Sequence, residues 1–335
     1  MGKGSAARFY EDFQVGARFE CPGPRLVTDA DRAAWVGFTG DRIARFAFGD
    51  RVHPLAVMAF AHGQVSGDIH GNTAEELGAT GVTMHRPVQI GTTLRTTARV
   101  VGLREDPDAG TGVVWVRVAG RDLRGVVLSY VTWFRVPKKH RQSHHARDGL
   151  PSLTDSVPLT ELFVAGLAPM PRHETGGRFA FEDYLVHETL HHRGVTSVVP
   201  GDIPRFARWF RHTDARHHDP RDPRYGPPLS HTVGLAYALA HDGIEDRLGV
   251  GAINALRTPN PVRDGDLLRA MSQVADAQPL SAELGAVRFR LFLFRNHDPQ
   301  EDAKPRITEG KRYLPHIALD MDYWEIVPTE AGLKR

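Results

Sequence analysis

Residues 211–219 read RHTDARHHD and contain three histidines and two aspartates, and His231 follows soon after. Imidazole and carboxylate groups in such a cluster can bind a metal ion or transfer protons near neutral pH. Because the chain has 18 histidines, the cluster could also be an ordinary polar loop. The organisation of the rest of the chain decides between a metal site, a proton-transfer site and a loop.

The composition is typical of a globular protein with a substantial core. Of the 335 residues, 41% are hydrophobic and 24% are charged, and the length favours two domains. A net charge of +2 is too small to indicate a nucleic-acid partner. There is no apolar run long enough to span a bilayer. Cys21, the single cysteine, excludes an intrachain disulfide and a cysteine-based metal site. We therefore expect a cytoplasmic protein without a membrane partner.

The chain repeats itself. FYEDFQVGARF, from residue 9, returns as FEDYLVHETL from residue 181, with an offset of 171 between Glu11 and Glu182. The offset reaches 191 between Trp133 and Trp324, and an inserted polar loop at 296–316 explains the increase. Because the matches keep their order, they predict tandem repeats. The predicted units are a first repeat at 1–137, a linker at 138–176 and a second repeat at 177–335.

Each repeat has the same predicted elements. A short strand and a Gly/Pro turn are predicted first. Apolar periodicity then predicts a helix, a loop and a longer apolar helix, followed by three strands rich in Val, Thr and aromatic residues. The predicted helices are 29–39 and 54–66 in the first repeat and 201–211 and 232–244 in the second. This order indicates an α+β fold in which an antiparallel sheet wraps around the long helix. Two such units could form one continuous sheet, which would hide an edge strand of each.

The repeats differ in the loop after the first helix. At the offset of 171, Asp41 aligns with His212 and Phe46 aligns with His217. The second repeat therefore has ionisable groups where the first has an apolar ring. This difference singles out His217 and predicts proton transfer in the second repeat only.

The loop resembles a pattern of the MaoC, or (R)-enoyl-CoA hydratase, superfamily. The pattern is G-D-x-N-P-x-H-x-D, in which the Asp and His five residues apart form the catalytic pair. The first repeat keeps Thr39-Gly40-Asp41 but has Phe46 at the histidine position. The second repeat has His217 and Asp219, but His212 replaces the first aspartate and Asn-Pro is absent. The resemblance implies a double hotdog whose first site is degenerate.

A closer resemblance covers nearly the whole chain. VVGLREDPDAGTGVVWV, VVLSYVTWFRV, GAINALRTPNPVRDGDLL and IALDMDYWEIVP are similar to segments of the mesaconyl-CoA hydratases, also called β-methylmalyl-CoA dehydratases. Among them AIN-x-x-R-x-x-NP, at 252–261, is the most particular. The resemblance implies reversible addition of water to an α,β-unsaturated CoA thioester, without a metal or an organic cofactor. Further pairing of hotdog sheets would give a homodimer.

The resemblance and the chemistry of hydration indicate the proton-transfer residues. We expect His217 to be the base, since the pKa of an unperturbed imidazole, about 6.5, lies near the working pH. His212 or Asp214 would assist it. In an alternative register, Asp214 pairs with His218 instead.

The same chemistry requires groups that bind the substrate. The start of the long helix is expected to stabilise the enolate-like oxygen, through Ser230, His231, Thr232 and Val233. Arg257, and after it Arg216, is the candidate for binding a free substrate carboxylate. Asn260, in the matched segment, is also expected to bind substrate.

We therefore expect a hydro-lyase that acts on a short, branched, dicarboxylic enoyl-CoA such as mesaconyl-CoA. One alternative is an (R)-specific hydratase of straight-chain enoyl thioesters. The other is a catalytically inactive hotdog protein that binds acyl-CoA, which the missing Asp and Asn-Pro favour.

Overall fold

In each half of the chain, an antiparallel sheet packs around one long buried helix. The computed structural model describes residues 7–21, 23–106, 110–140, 149–151, 156–301 and 313–334. Within these ranges, the strands are β1 (Arg18–Glu20), β2 (Arg25–Leu26), β3 (Glu75–Met84), β4 (Thr93–Asp106), β5 (Thr111–Asp122), β6 (Gly125–Pro137), β7 (Thr189–Ser197), β8 (Gly249–Arg257), β9 (Leu267–Pro279), β10 (Leu284–Arg295) and β11 (Ile317–Pro328). The helices are α1 (Asp29–Thr39), α2 (Ala44–Phe48), α3 (Pro54–Val65), α4 (Arg172–Thr175), α5 (Asp202–Trp209), α6 (Leu229–Leu239) and α7 (Glu330–Leu333).

The strands form one sheet in the order β1-β4-β5-β6-β3-β8-β11-β10-β9-β7, with β2 paired to β4. The repeats meet where β3 pairs antiparallel to β8, with Thr80 opposite Ala255. The predicted continuous sheet is therefore confirmed. Each repeat hides one strand edge in this pairing.

The long helices α3 and α6 form the centre of the core. Every residue of both helices is buried, and the two helices contact each other. Gly63 of α3 permits close packing, because a Cβ at this position would lie 1.6 Å from the carbonyl oxygen of Phe210. The first repeat is thereby packed directly against the segment that precedes the histidine cluster.

The helix positions follow the sequence prediction with one displacement, and α5, predicted at 201–211, is shorter, at Asp202–Trp209. The first helix is confirmed at Asp29–Thr39, where the Asp31 carboxylate accepts the backbone N–H of Thr28, the N-cap residue, at 2.8 Å. The second long helix, predicted at 232–244, instead spans Leu229–Leu239. It begins earlier because Pro228 is the N-cap residue, and its carbonyl oxygen accepts the N–H groups of His231 and Thr232. It ends earlier because the chain leaves the helix at Ala240 and turns at Gly243, where φ is 86°.

Among the longer strands, two were missed by the sequence prediction, and they are the two that join the repeats. β3 and β8 carry glycines that break the apolar alternation. At Gly78, φ is 154° and an added Cβ would lie 2.2 Å from the carbonyl oxygen of Leu256. The close backbone contact between the repeats therefore requires the residue type that weakens the strand signal.

Parts of the predicted linker and inserted loop, at 141–148, 152–155 and 302–312, lie outside the described residues. The later linker is packed on the protein, since Leu162, Phe163 and Leu167 are buried. The Phe163 N–H also donates to the carbonyl oxygen of Gly251 at 2.9 Å.

Among the helices of the described ranges, none has both the length and the apolar character needed to cross a bilayer.

Candidate active site

A cleft of about 330 Å³ opens between the two repeats. The first repeat contributes Glu76 and Arg135 to its lining, and the second contributes Arg216, His217 and Thr232. Two neighbouring residues of the RHTDARHHD cluster thus face the same cavity as a carboxylate from the other half of the chain.

His217 is held in one tautomer. Its Nδ1 lies 2.8 Å from the carbonyl oxygen of Gly226. Because a carbonyl oxygen only accepts, Nδ1 carries the proton and Nε2 keeps a free electron pair. Burial, together with the charge of Arg216, lowers the pKa of His217 to about 3. The imidazole is therefore neutral at pH 7 with Nε2 free to accept a proton, and its pKa lies well below the value near 6.5 expected from the sequence.

Arg216 joins two carboxylates. Its Nε donates to Asp214 Oδ2 at 2.8 Å, and its Nη2 lies 2.9 Å from Glu76 Oε1. The backbone N–H of Arg216 also donates to Asp214 Oδ1, at 3.1 Å, which caps the 3-10 turn Ala215–His217. Within the described part of the chain, Nη1 makes no hydrogen bond. This guanidinium is fixed in place and still has a donor for a ligand.

Glu76 is a buried carboxylate surrounded by donors and cations. Its Oε1 lies 3.0 Å from His62 Nε2 and 3.4 Å from His70 Nδ1, and its Oε2 accepts the N–H of Leu229 at 2.8 Å. Burial alone would raise the pKa of Glu76, but the charge of Arg216 and the His62 and His70 imidazoles hold it well below its usual range. Glu76 is therefore ionised at the inner wall of the cleft.

His62, His70 and Glu76 are also the one group in the described ranges with the composition of a metal site, their ligand atoms lying within 4.8 Å of one another. Two imidazoles and a carboxylate would suit Zn²⁺. However, the Arg216 guanidinium already lies against Glu76 Oε1. A divalent cation bound there would be repelled by this neighbouring positive charge, so the arrangement suits a stable carboxylate better than a metal.

His212 and Asp214, the two residues expected to assist His217, are buried and lie outside the cleft lining. His212 is buried outside the cleft lining, with its ring 5.8 Å from the His217 ring and its Nε2 3.4 Å from Ser230 Oγ. Asp214 is also buried and is engaged by Arg216. His218, the alternative histidine, is exposed, and its Nε2 lies 2.7 Å from the carbonyl oxygen of His212. Of His212, Asp214, His217 and His218, only His217 lines the cleft.

The start of α6 reaches the cleft through some of the expected residues. Thr232 lines the cleft, whereas Val233 is part of the hydrophobic core. The His231 ring stacks on Phe206, with centroids 4.2 Å apart. The N–H groups of His231 and Thr232 both donate to the carbonyl oxygen of Pro228, at 3.0 and 3.1 Å. No acceptor for the Ser230 N–H is present among the described residues.

The matched segment 252–261 places its two polar candidates differently. Arg257 is exposed and lies outside the cleft lining. Asn260 lines the cleft, and its Nδ2 donates to the carbonyl oxygens of Leu314 and Ile317, at 2.9 and 2.8 Å. Asn260 thus fixes the wall of the cleft, and Arg216 is the arginine of the two that faces it.

Sequence reasoning missed the carboxylate side of the cleft. Glu76, His62 and His70 belong to the first repeat, whose loop had lost its histidine. The signal available was His62 itself, an ionisable residue inside the apolar segment PLAVMAFAHGQV. A histidine buried at such a position needs a polar partner from elsewhere in the chain.

Comparison with known proteins gives whole-chain similarities. The mesaconyl-CoA hydratase of Cereibacter sphaeroides is 32% identical, with 97% of this chain and 99% of that protein aligned. The β-methylmalyl-CoA dehydratase of Chloroflexus aurantiacus is 30% identical, with 97% of this chain and 98% of that protein aligned. No family model matches the sequence.

Solved structures agree with these similarities. A MaoC domain protein dehydratase from Chloroflexus aurantiacus superposes with a TM-score of 0.92 at 29% identity, covering 98% of this chain and all of that chain. A double-hotdog protein from Mycobacterium tuberculosis gives 0.73 at 21% identity, covering 96% and 98%. The predicted α+β double hotdog is confirmed.

Proposed function

The chain belongs to the family of mesaconyl-CoA hydratases and β-methylmalyl-CoA dehydratases, hydro-lyases of CoA thioesters, and we propose that its own substrate is a short, branched, dicarboxylic enoyl-CoA such as mesaconyl-CoA. The observation that carries this proposal is the pairing of His217 and Arg216 in one cleft. The first residue offers a free basic nitrogen, and the second offers a fixed guanidinium donor.

His217 is proposed to be the base. Its Nε2 takes a proton from water as the water oxygen attacks the β-carbon of the thioester. The electron pair of the double bond then moves onto the thioester oxygen, and a proton must be delivered to the α-carbon. The Nδ1 bond to Gly226 keeps the ring orientation constant through both proton transfers.

The start of α6 is proposed to stabilise the negative charge on the thioester oxygen. Unbonded N–H groups and the helix dipole favour an anion at this end of a helix. Leu229 and Thr232 line the cleft on either side of Ser230, whose N–H has no acceptor among the described residues. The Leu229 N–H is already bonded to Glu76, so the Ser230 N–H is our candidate donor to the thioester oxygen.

Arg216, rather than Arg257, is proposed to bind the free carboxylate of the acyl group. Its Nε and Nη2 are held by Asp214 and Glu76, so binding through Nη1 requires no reordering of the side chain. A pre-ordered guanidinium in the cleft favours a dicarboxylic substrate over a neutral acyl chain.

The test is an assay of enoyl-CoA hydration, followed by the loss of the enoyl-thioester absorbance. We expect faster hydration of mesaconyl-CoA than of crotonyl-CoA, expressed as kcat/KM. A preference for crotonyl-CoA would contradict the dicarboxylic assignment and support a straight-chain hydratase. Saturable binding of CoA esters with no turnover would support an inactive acyl-CoA-binding protein.

A further inference from the structure

The catalytic loop does not itself supply a carboxylate to the cleft. The family pattern that the loop resembles places an aspartate five residues before the histidine, and that position is His212 here. His212 is buried outside the cleft lining, and Asp214, two residues after it, has both carboxylate oxygens engaged by Arg216. Any carboxylate partner of His217 in the cleft must therefore come from another part of the structure.

Glu76 lies where such a group is needed. It lines the same cleft as His217, and the Arg216 guanidinium, one residue away from His217, lies 2.9 Å from its Oε1. Its other oxygen accepts the Leu229 N–H at the start of α6. Glu76 is therefore fixed between the loop that carries the base and the helix end proposed to bind the thioester.

We propose that Glu76, from the first repeat, is the second catalytic residue of this cleft and takes the place of the missing loop aspartate. The inference rests on the proposed function. The attacking water is held by two acceptors, with one hydrogen directed to His217 Nε2 and the other to the Glu76 carboxylate. This arrangement directs the electron pair of the water oxygen towards the β-carbon.

The proton balance then closes without any further reactant. His217 Nε2 takes one water proton as the carbon–oxygen bond forms, and the thioester becomes an enolate. The Glu76 carboxylate stabilises the resulting imidazolium by its negative charge and retains its hydrogen bond to the new hydroxyl group. The imidazolium returns the same proton to the α-carbon, which completes the addition of one water molecule.

His62 and His70 act as positioning residues for Glu76. Both are fully buried, and their ring nitrogens make no well-aligned hydrogen bond within the described residues. Their nearest polar group is the Glu76 carboxylate, at 3.0 and 3.4 Å. Two buried imidazoles facing one carboxylate restrict its orientation and exclude water from its inner side.

The experiment compares Glu76→Gln, Glu76→Asp and the matched control Glu325→Gln. Glu325 is also a buried carboxylate that accepts a backbone N–H, that of Gly249 at 3.0 Å, but it lies outside the cleft lining. We expect Glu76→Gln to lower kcat by about 100-fold or more, the size expected when a preorganised group that stabilises charge in the transition state is lost, with little change in KM. Glu76→Asp should retain part of the activity, and Glu325→Gln should retain all of it.

Each outcome is decisive. A folded Glu76→Gln protein with wild-type kcat would overturn the role of Glu76, and so would equal losses in the Glu76→Gln and Glu325→Gln proteins. If Glu76→Gln does not fold, a folded Glu76→Asp protein with wild-type kcat would overturn it. Wild-type protein that hydrates crotonyl-CoA but not mesaconyl-CoA would refute the proposed substrate and leave the Glu76 comparison valid with crotonyl-CoA. Wild-type protein that hydrates neither ester would refute both proposals.

Discussion

In the first repeat, His53 Nε2 lies 3.4 Å from Asp41 Oδ2, and the ring of Phe46 packs edge-on against the imidazole with centroids 4.7 Å apart. Asp41 also accepts the Trp35 Nε1–H at 3.1 Å. All four side chains are buried. The first repeat thus keeps an acid–imidazole pair, but an apolar ring covers it where the second repeat has His217.

The Asp41 pair is expected to contribute stability and not activity. Asp41→Asn places an amide where the carboxylate accepts bonds from Trp35 and from the N–H of Ile43. We expect the free energy of unfolding to fall by about 1–3 kcal/mol, the cost of leaving buried polar groups poorly paired. Chemical denaturation measures this change, and kcat of the folded protein should equal that of wild type. A large loss of kcat at full occupancy of the folded state would show that the first repeat takes part in catalysis.

His217 and His218 provide an adjacent pair for testing the base. His217→Gln should lower kcat by about 100- to 10,000-fold, as expected for a lost general base. His218→Gln should leave kcat unchanged, because His218 is exposed and bonds only the carbonyl oxygen of His212 among the described residues. Steady-state assays with the preferred enoyl-CoA separate the two variants. The opposite ranking would favour the alternative register in which His218 is the catalytic histidine.

Arg216 should determine the preference for a carboxylate in the acyl group. Arg216→Lys keeps the charge but loses the planar fork that donates to Asp214 and contacts Glu76 while offering Nη1. We expect kcat/KM for mesaconyl-CoA to fall by about tenfold more than kcat/KM for crotonyl-CoA, which corresponds to about 1.4 kcal/mol of discrimination. Arg257→Lys, at the exposed arginine, is the control and should change neither. Equal losses with both esters in Arg216→Lys would remove Arg216 from carboxylate recognition.

Gly63 should be among the least replaceable residues of the core. A Cβ there would lie 1.6 Å from the Phe210 carbonyl oxygen, so Gly63→Ala must displace α3 from the chain segment that leads to the loop carrying His217. We expect a loss of about 3 kcal/mol in the free energy of unfolding. Gly37, on the exposed face of α1 with no atom within 4 Å of the added Cβ, is the matched control. Gly37→Ala should stabilise by about 0.5–1 kcal/mol. Similar effects of the two substitutions in urea unfolding would contradict this packing argument.

Buried histidines should make the fold sensitive to acid. Burial lowers the pKa of four of them to about 4: His53, His70, His192 and His231. In the unfolded chain these groups bind protons near pH 6.5, whereas in the folded protein they do so near pH 4. The unfolded state therefore gains protons first, and the free energy of unfolding should fall as the pH drops from about 6.5 to about 4. Each fully titrating group contributes about 1.4 kcal/mol per pH unit.

Glu325 contributes to the free energy of unfolding with the opposite pH dependence, and a substitution removes this contribution. Burial raises its pKa to about 7, so its contribution to stability is complete below the unfolded value of 4.5 and is lost as the pH rises to about 7. Glu325→Gln should therefore make the decline of stability between pH 6.5 and 4.5 steeper. Unfolding curves recorded at several pH values test both expectations. A profile that is flat in this range for both proteins would be inconsistent with neutral buried histidines.

Much of the fold was predictable because the two repeats show the same order of elements, so that each repeat supports the assignment made in the other. Matches such as Glu11 with Glu182 and Trp133 with Trp324 defined the repeats, and apolar periodicity placed α1 and α3 within one residue of their observed ends. The strands β3 and β8 escaped prediction because Gly78 and its neighbours serve a close backbone contact and not a regular apolar face.

Only the part of the candidate site that lies in the loop 211–219 was predictable from the sequence. His217 stood out because Phe46 faces it in the alignment. Glu76 did not, because its position depends on how β3 approaches the loop of the other repeat, which only the three-dimensional pairing defines. Arg257 was predicted from its place in a matched segment, but strand alternation directs it to the exposed face.

The division of the cleft between the repeats, with Glu76 in one half and His217 in the other, has a consequence for how this protein can evolve. An ancestor with two identical halves could have formed two equivalent clefts by self-association. With the present halves, two copies of the first would assemble a cleft without His217, and two copies of the second a cleft without Glu76. With the roles proposed for Glu76 and His217, a complete site therefore requires both halves, and neither half could form one by pairing with its own copy.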